Sequence, residues 1–303
     1  MQELAAQAAP PPAPEEVEGP AVEIAPARGA RLRGIARAAV RRPGVVLAVL
    51  VLLVAATAAF FPGLFTGTDP LATDPRSILL APGADGHWLG TDAVGRDLFS
   101  RVVYGTRESL QAALLAMTIS LVLGSLVGLA AGYLGGLVDT LLMRLVDVML
   151  AFPALLLAMA VIAALGFGSV TVAIAVGVVG VAAMARLMRS EVLRVRTHAY
   201  VEAAALSGTR TPAILARHVL PNAAGPALVL AALDFGTAIL AVSSLSFLGF
   251  GEPPPSPEWG ALISAGRDYL ATAWWLSAFP GMAIAAVVLS SNHVSRAISE
   301  RVR

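Results

Sequence analysis

Cysteine and lysine are both missing from these 303 residues, and only 14% of them are charged. Without cysteine, disulfides, thiolate catalysis and Cys-ligated metals are excluded. All 21 basic residues are therefore arginine. A P-loop needs a lysine to reach the β- and γ-phosphates, so this chain is not a P-loop ATPase. Schiff-base and Ser-Lys catalysis are excluded for the same reason. Any ATP that drives the protein must be bound by another chain. A soluble domain carries about 25% charged residues. Here charge is scarcer, 57% of residues are hydrophobic and the mean hydropathy is +0.77. Apolar runs approaching ~20 residues complete the signature of a membrane protein.

Residues 1–27 are rich in Pro, Ala and Glu and show no apolar period, which predicts a disordered tail. Residues 28–43 carry Arg28, Arg31, Arg33, Arg37, Arg41 and Arg42 between apolar positions, a basic amphipathic segment suited to an anionic membrane face. Residues 44–303 form the transmembrane domain. Its first span is Val45–Phe61, read as an uncleaved anchor. Further spans are expected at Leu110–Tyr133, Val146–Leu165, Val170–Met188, Ala227–Phe247 and Leu276–Val294. A helix rising 1.5 Å per residue needs about 20 residues to cross a ~30 Å hydrocarbon core. The fold class is thus all-α, a polytopic bundle with both termini on one side.

Arginine placement predicts which side. Arginines gather before span one, between spans four and five (Arg189, Arg194, Arg196, Arg210, Arg217) and at the C-terminus (Arg296, Arg301, Arg303). With six spans these three regions share a face, which the positive-inside rule makes cytoplasmic. The loops at 62–108 and 248–275 then lie outside. In span two, Gly124, Gly128 and Gly132 recur every fourth residue and predict close helix packing with an unidentified partner.

The segment 189–222 is a long cytoplasmic loop. Tyr200 to Leu206 is a good helix former, Gly208 permits a sharp break, and Pro212 suits the first turn of a second helix. Leu220-Pro221 is expected to end that helix before span five. The result is a protruding elbow of two short helices.

These residues carry a resemblance. Glu202-Ala203-Ala204, Gly208 and Leu220-Pro221 have the spacing of the Glu-Ala-Ala loop of ABC importer permeases, and His218-Val219-Leu220-Pro221-Asn222 resembles its peptide-importer branch. His87-Trp88-Leu89-Gly90-Thr91-Asp92, Gly95-Arg96-Asp97, Ala131-Gly132-Tyr133, Phe152-Pro153, Leu245-Ser246-Phe247-Leu248-Gly249 and Trp259-Gly260 match that branch in order. The chain resembles the C-type permease subunit of dipeptide, oligopeptide and nickel importers over about Val40–Asn292. Two stretches depart from it: Val242-Ser243-Ser244, and His293 to Ala297. The resemblance implies the type I importer fold, a second homologous permease, two ABC ATPases holding ATP-Mg, and an external substrate-binding protein. It implies no cofactor bound by this chain and no nucleic-acid partner. It makes Glu202, Ala203, Ala204, Gly208, Leu220 and Pro221 an ATPase-coupling site, with Glu202 capping or pairing to fix the elbow. Cargo would be a short peptide, with nickel or another small solute as the alternative.

Other charged residues carry separate expectations. Asp234 lies within span five, where a carboxylate either lines a pathway or reaches interfacial water or a helix partner. Phe235 and Phe247 either narrow a pathway or pack. Arg144 and Asp147 are expected to pair three residues apart. His87 with Asp92 and Asp97 could suggest a metal, but the interleaved Arg96 and Arg101 favour a salt-bridged outer element. Trp259, Trp274 and Trp275 suit an interfacial aromatic belt. No catalytic site is expected, since the His-Glu-x-x-His and Gly-x-Gly-Asp signatures of intramembrane proteases are absent. An ion-driven secondary transporter would need more buried carboxylates and broken helices in repeats than Asp234 alone provides.

Overall fold

Ten α-helices and a π turn account for most of residues 43–302, the part of the chain that the computed structural model describes. The tail at 1–27 and nearly all of the basic segment lie outside those residues. Pro43 opens the first helix, α1 (Pro43–Phe60), with its fixed φ and missing N–H placed where a helix start tolerates them. The remaining helices are α2 (Leu98–Leu134), α3 (Gly136–Ala151), α4 (Ala154–Leu165), α5 (Ser169–Arg196), α6 (Ala199–Leu206), α7 (Thr211–Ile214), α8 (Leu220–Phe247), α9 (Trp259–Gly266) and α10 (Trp275–Val302). No strand is present among the described residues; Thr91 and Asp97 form a single isolated bridge. Five helices, counting α7 through α8 as one, are long and apolar enough to cross a membrane, and the bent pair α3–α4 makes a sixth when its two helices are counted as one span.

Three boundaries differ from the sequence-based expectation. First, α2 begins at Leu98, inside the segment expected to be a polar loop to residue 108. Asp97 caps it, its carboxylate accepting the Ser100 N–H at 2.8 Å. Arg101 and Glu108 of this first stretch are held by a distant segment, Arg101 donating to the Pro255 and Ser256 carbonyls and Glu108 accepting from the Ser256 hydroxyl, so low hydropathy there does not mean loop. Second, the third span is broken. α3 and α4 meet at 102°, because Pro153 forces Phe152 into an extended conformation (φ −87°, ψ 142°). Third, Leu220-Pro221 does not end a helix. Residues 215–219 form a π turn that runs directly into α8. A proline ring clashes with the carbonyl four residues back in a regular helix; here the widened turn immediately precedes it.

Helices α2 and α5 form the central pair, and α8 packs against both. The glycine series finds its partner in α5. A Cβ at Gly124 would lie 2.6 Å from Met184 Cβ, one at Gly128 2.7 Å from Met188 Cβ, and one at Gly132 2.9 Å from Val192 Cβ. These are sub-contact distances, so only glycine lets the two backbones approach this closely. α3 leans on α5 through Val146 against Ala182 and Ala185, and through an Asp139–Arg189 fork at 2.5 and 2.6 Å. α1 packs on α10 and α2 at the flank.

At one end of the bundle, the segment before α2 folds over the starts of α2 and α10. Leu98, Ala273, Trp275 and Leu276 form its core. Asp92 pairs with Arg96 at 2.6 Å and His87 with Asp97 at 2.8 Å, and Asp92 lies 3.7 Å from the buried Arg101. This is the salt-bridged element expected from the mixed charges. Two of the three expected belt tryptophans are instead buried staples. Trp259, 1% exposed, donates its indole N–H to the Val102 carbonyl at 2.9 Å, and Trp275 donates to the Thr91 carbonyl at 3.3 Å. Trp274 stays exposed.

Glu258 is fully buried beside them. Its carboxylate caps α9 by accepting from the Gly260 and Ala261 N–H groups at 3.0 and 2.9 Å, and takes the Ser109 hydroxyl at 3.2 Å. Burial pushes this carboxyl above the ordinary glutamate range, against the opposing pull of those donors.

Candidate functional site

The opposite end of the bundle carries the elbow. α6 covers Ala199–Leu206, and its termination follows a helix-stop pattern. Gly208 takes a left-handed φ of +77°, and the Thr209 N–H reaches back to the Ala204 carbonyl at 3.2 Å. The chain then turns into α7 at Thr211, with Pro212 in the first turn. One face of the elbow is anchored. Val201, Ile214 and Val219 are buried together against Met188, Val192 and Val195 at the foot of α5. Tyr200 sits between two imidazoles, 5.6 Å from His198 and 6.3 Å from His218, and so bridges α6 to the π turn.

The other face is free. Glu202, Ala203, Ser207 and Gly208 are exposed, and Leu206 is 89% exposed. An added Cβ at Gly208 would meet nothing within 4 Å. The Glu202 side chain neither caps nor pairs with any described residue; its backbone N–H donates to the His198 carbonyl. The expected capping role is therefore not seen. Ala204 is half-buried, turned towards the anchored face, while Leu220 and Pro221 lie exposed at the start of α8. The expected coupling residues are thus assembled at one end but divided between two faces. Leu206, the most exposed of the large apolar side chains among the described residues, was missed because a leucine closing a helix reads as packing.

α8 continues from the elbow to the middle of the bundle. There Asp234 enters a cavity of about 180 Å³ between α2, α5 and α8. Phe235, one residue on, turns the other way, into packing with Leu52 and Ala55 of α1 and Val287 of α10. Asp234 and Phe235, each read from the sequence as a possible pathway residue, are therefore not brought together. Arg144 and Asp147 do not pair either; Asp147 takes Arg186 of α5 at 2.7 Å. Two neighbours of Asp234, Ser120 and Gly180, gave no signal of their own in the sequence, since small residues are common in membrane helices. Among the described residues no cluster of three His, Asp or Glu side chains suits a metal.

Apolar helices of membrane length, one of them broken, surrounding a carboxylate-bearing cavity describe a multi-pass membrane transport protein. The chain belongs to the family of binding-protein-dependent transport system inner membrane components, whose model matches residues 87–303. It is 42% identical over 236 residues to the dipeptide transport system permease protein DppC of Alkalihalophilus pseudofirmus, covering 78% of this chain and 77% of that one. It is 42% identical to the probable D,D-dipeptide transport system permease protein DdpC of Escherichia coli K12, covering 81% and 82%. The di/tripeptide transport system permease protein DppC of Pseudomonas aeruginosa is also 42% identical, with 72% and 74% covered.

Proposed function

We propose that this chain is one of two permease subunits of an ATP-driven importer of short peptides, and that its elbow is the point where an ATPase subunit takes hold. The relatives named for dipeptide and tripeptide transport support the cargo. The observation that carries the coupling role is the two-faced elbow: anchored to α5 by Val201, Ile214 and Val219, and bare at Glu202, Leu206 and Gly208. An exposed leucine beside an open glycine suits insertion into a cleft on a partner. The anchored face suits force transmission, because packed side chains do not compress.

In this reading the Gly208 end and both termini are cytoplasmic, and the Glu258 end faces an external substrate-binding protein. Lipid surrounds the bundle. ATP-Mg is bound and hydrolysed on two partner subunits, and this chain holds no cofactor. Closure of the ATPases draws two elbows together and moves α5 and α8 with them. Gly208→Asp is the test. It adds charge on the bare face and a Cβ at a left-handed φ. Uptake and stimulated ATPase activity should be lost while membrane insertion is unchanged. Normal stimulated ATPase in that variant overturns the coupling assignment.

A further inference from the structure

The Asp234 cavity lies midway along α2, α5 and α8. Asp234 and Thr237 enter from α8, Ser120 from α2, and Gly180 and Ala183 from α5. A carboxylate among apolar helices is costly to desolvate and is kept where it meets a cavity or a partner. No described side chain donates to it, and Thr237 turns its hydroxyl to the Asp234 backbone carbonyl at 2.9 Å. Ser120 is 4% exposed, and its hydroxyl has no hydrogen-bond partner. A Cβ at Gly180 would come within 2.7 Å of that hydroxyl, so the glycine lets α2 and α5 pack closely there and the hydroxyl is enclosed between them.

The Asp234 carboxylate, which no described side chain satisfies, is the acceptor this cavity offers. Its complement is a compact group with several N–H donors and a positive charge, which describes a primary ammonium. The volume of about 180 Å³ is below the roughly 300–1,000 Å³ of pockets that enclose a whole ligand. It fits one end of a molecule.

A second cavity, of about 720 Å³, lies nearer the Glu258 end, lined by Glu108 and Ala112 of α2, Ser169 and Ala173 of α5, and Glu252. Glu108, Ala112, Ala116 and Ser120 recur every fourth residue, and Ala173, Val176, Gly180 and Ala183 every third or fourth. At that spacing the lining residues follow one another turn by turn along the α2–α5 pair from one cavity to the other. Glu108 accepts from the Ser256 hydroxyl and Glu252 from the Ser169 N–H at 3.2 Å, which leaves acceptor sites open on both. Among the described residues no basic side chain lines either cavity.

We propose that Asp234 forms a subsite for the protonated amino terminus of a short peptide in transit. That the amine belongs to a peptide rests on the function proposed above; the preference for a cation does not.

The absence of cysteine supplies the test. Thr237→Cys gives this chain one thiol, a turn from Asp234, in a transporter assembled with cysteine-free partners. A cationic methanethiosulfonate should react roughly tenfold or more faster than an anionic one of similar size, through focusing of the local field. Asp234→Asn should bring the two rates together. Dialanine should slow the reaction, and N-acetyl-dialanine should not. An unreactive thiol, or a rate ratio that Asp234→Asn leaves unchanged, overturns the subsite. Dialanine uptake by the unmodified transporter is followed in parallel. Uptake without protection by dialanine overturns this inference alone, whereas no uptake at all overturns the peptide reading and the peptide amine with it.

Discussion

At the residue scale, the molecule depends on missing side chains as much as on present ones. Gly128 is the clearest case, since a side chain there would overlap both Met188 Cβ and the Arg189 backbone nitrogen. Overpacking a close contact costs about 1–3 kcal/mol. Gly128→Val should therefore lower the thermal midpoint of the purified transporter, while the same change at the uncrowded Gly225 costs less through packing. The spacing of Gly124, Gly128 and Gly132 made the close face legible in the sequence. It did not say that α5 was the partner, because α5 answers with ordinary residues such as Met184 and Val192. The tryptophans were misread for a related reason. A belt tryptophan and a buried one differ only in where the indole N–H finds its acceptor, and for Trp259 that acceptor is a backbone carbonyl far away in sequence.

At the scale of elements, the helices were legible and their breaks were not. Apolar run length located the five helices of membrane length, yet it read one straight span at Val146–Leu165 where two helices meet at 102° about Phe152–Pro153. The polar pair that holds the bent helix was also invisible, since Asp139 and Arg189 are brought together by tertiary packing alone. This fork ties α3 to α5 and gives a test of whether the bend must be held for transport. Both side chains are partly exposed, so screening limits the pair to about 0.5–1 kcal/mol. Asp139→Arg alone should reduce uptake by setting like charges together, and adding Arg189→Asp should restore much of it. Equal uptake in the single and double variants would show that the contact is dispensable. The expectation that Leu220-Pro221 stops a helix failed because the rule describes regular α geometry. A π turn at 215–219 comes just ahead of it.

At the scale of the whole molecule, arginine distribution and elbow geometry make one joint prediction about orientation. Ser207 and Asp268 are exposed at opposite ends of the bundle. With no native cysteine to interfere, Ser207→Cys should be labelled by an impermeant reagent only from the cytoplasmic side, and Asp268→Cys only from outside. The reverse pattern would invert the topology and remove the elbow from any intracellular ATPase. The sequence carried this prediction because charge placement relative to the spans survives errors of several residues in their boundaries.

One feature of α8 ties these scales together. The helix runs as one element, with Pro226 inside it, from the π turn beside the elbow to the carboxylate at mid-bundle. A single shaft thus has a handle at its foot and a catch at its waist. If the elbow takes the ATPase as proposed, its movement reaches that catch along one helix, with Pro226 between them as the place where a ring removes a backbone hydrogen bond and the shaft can flex.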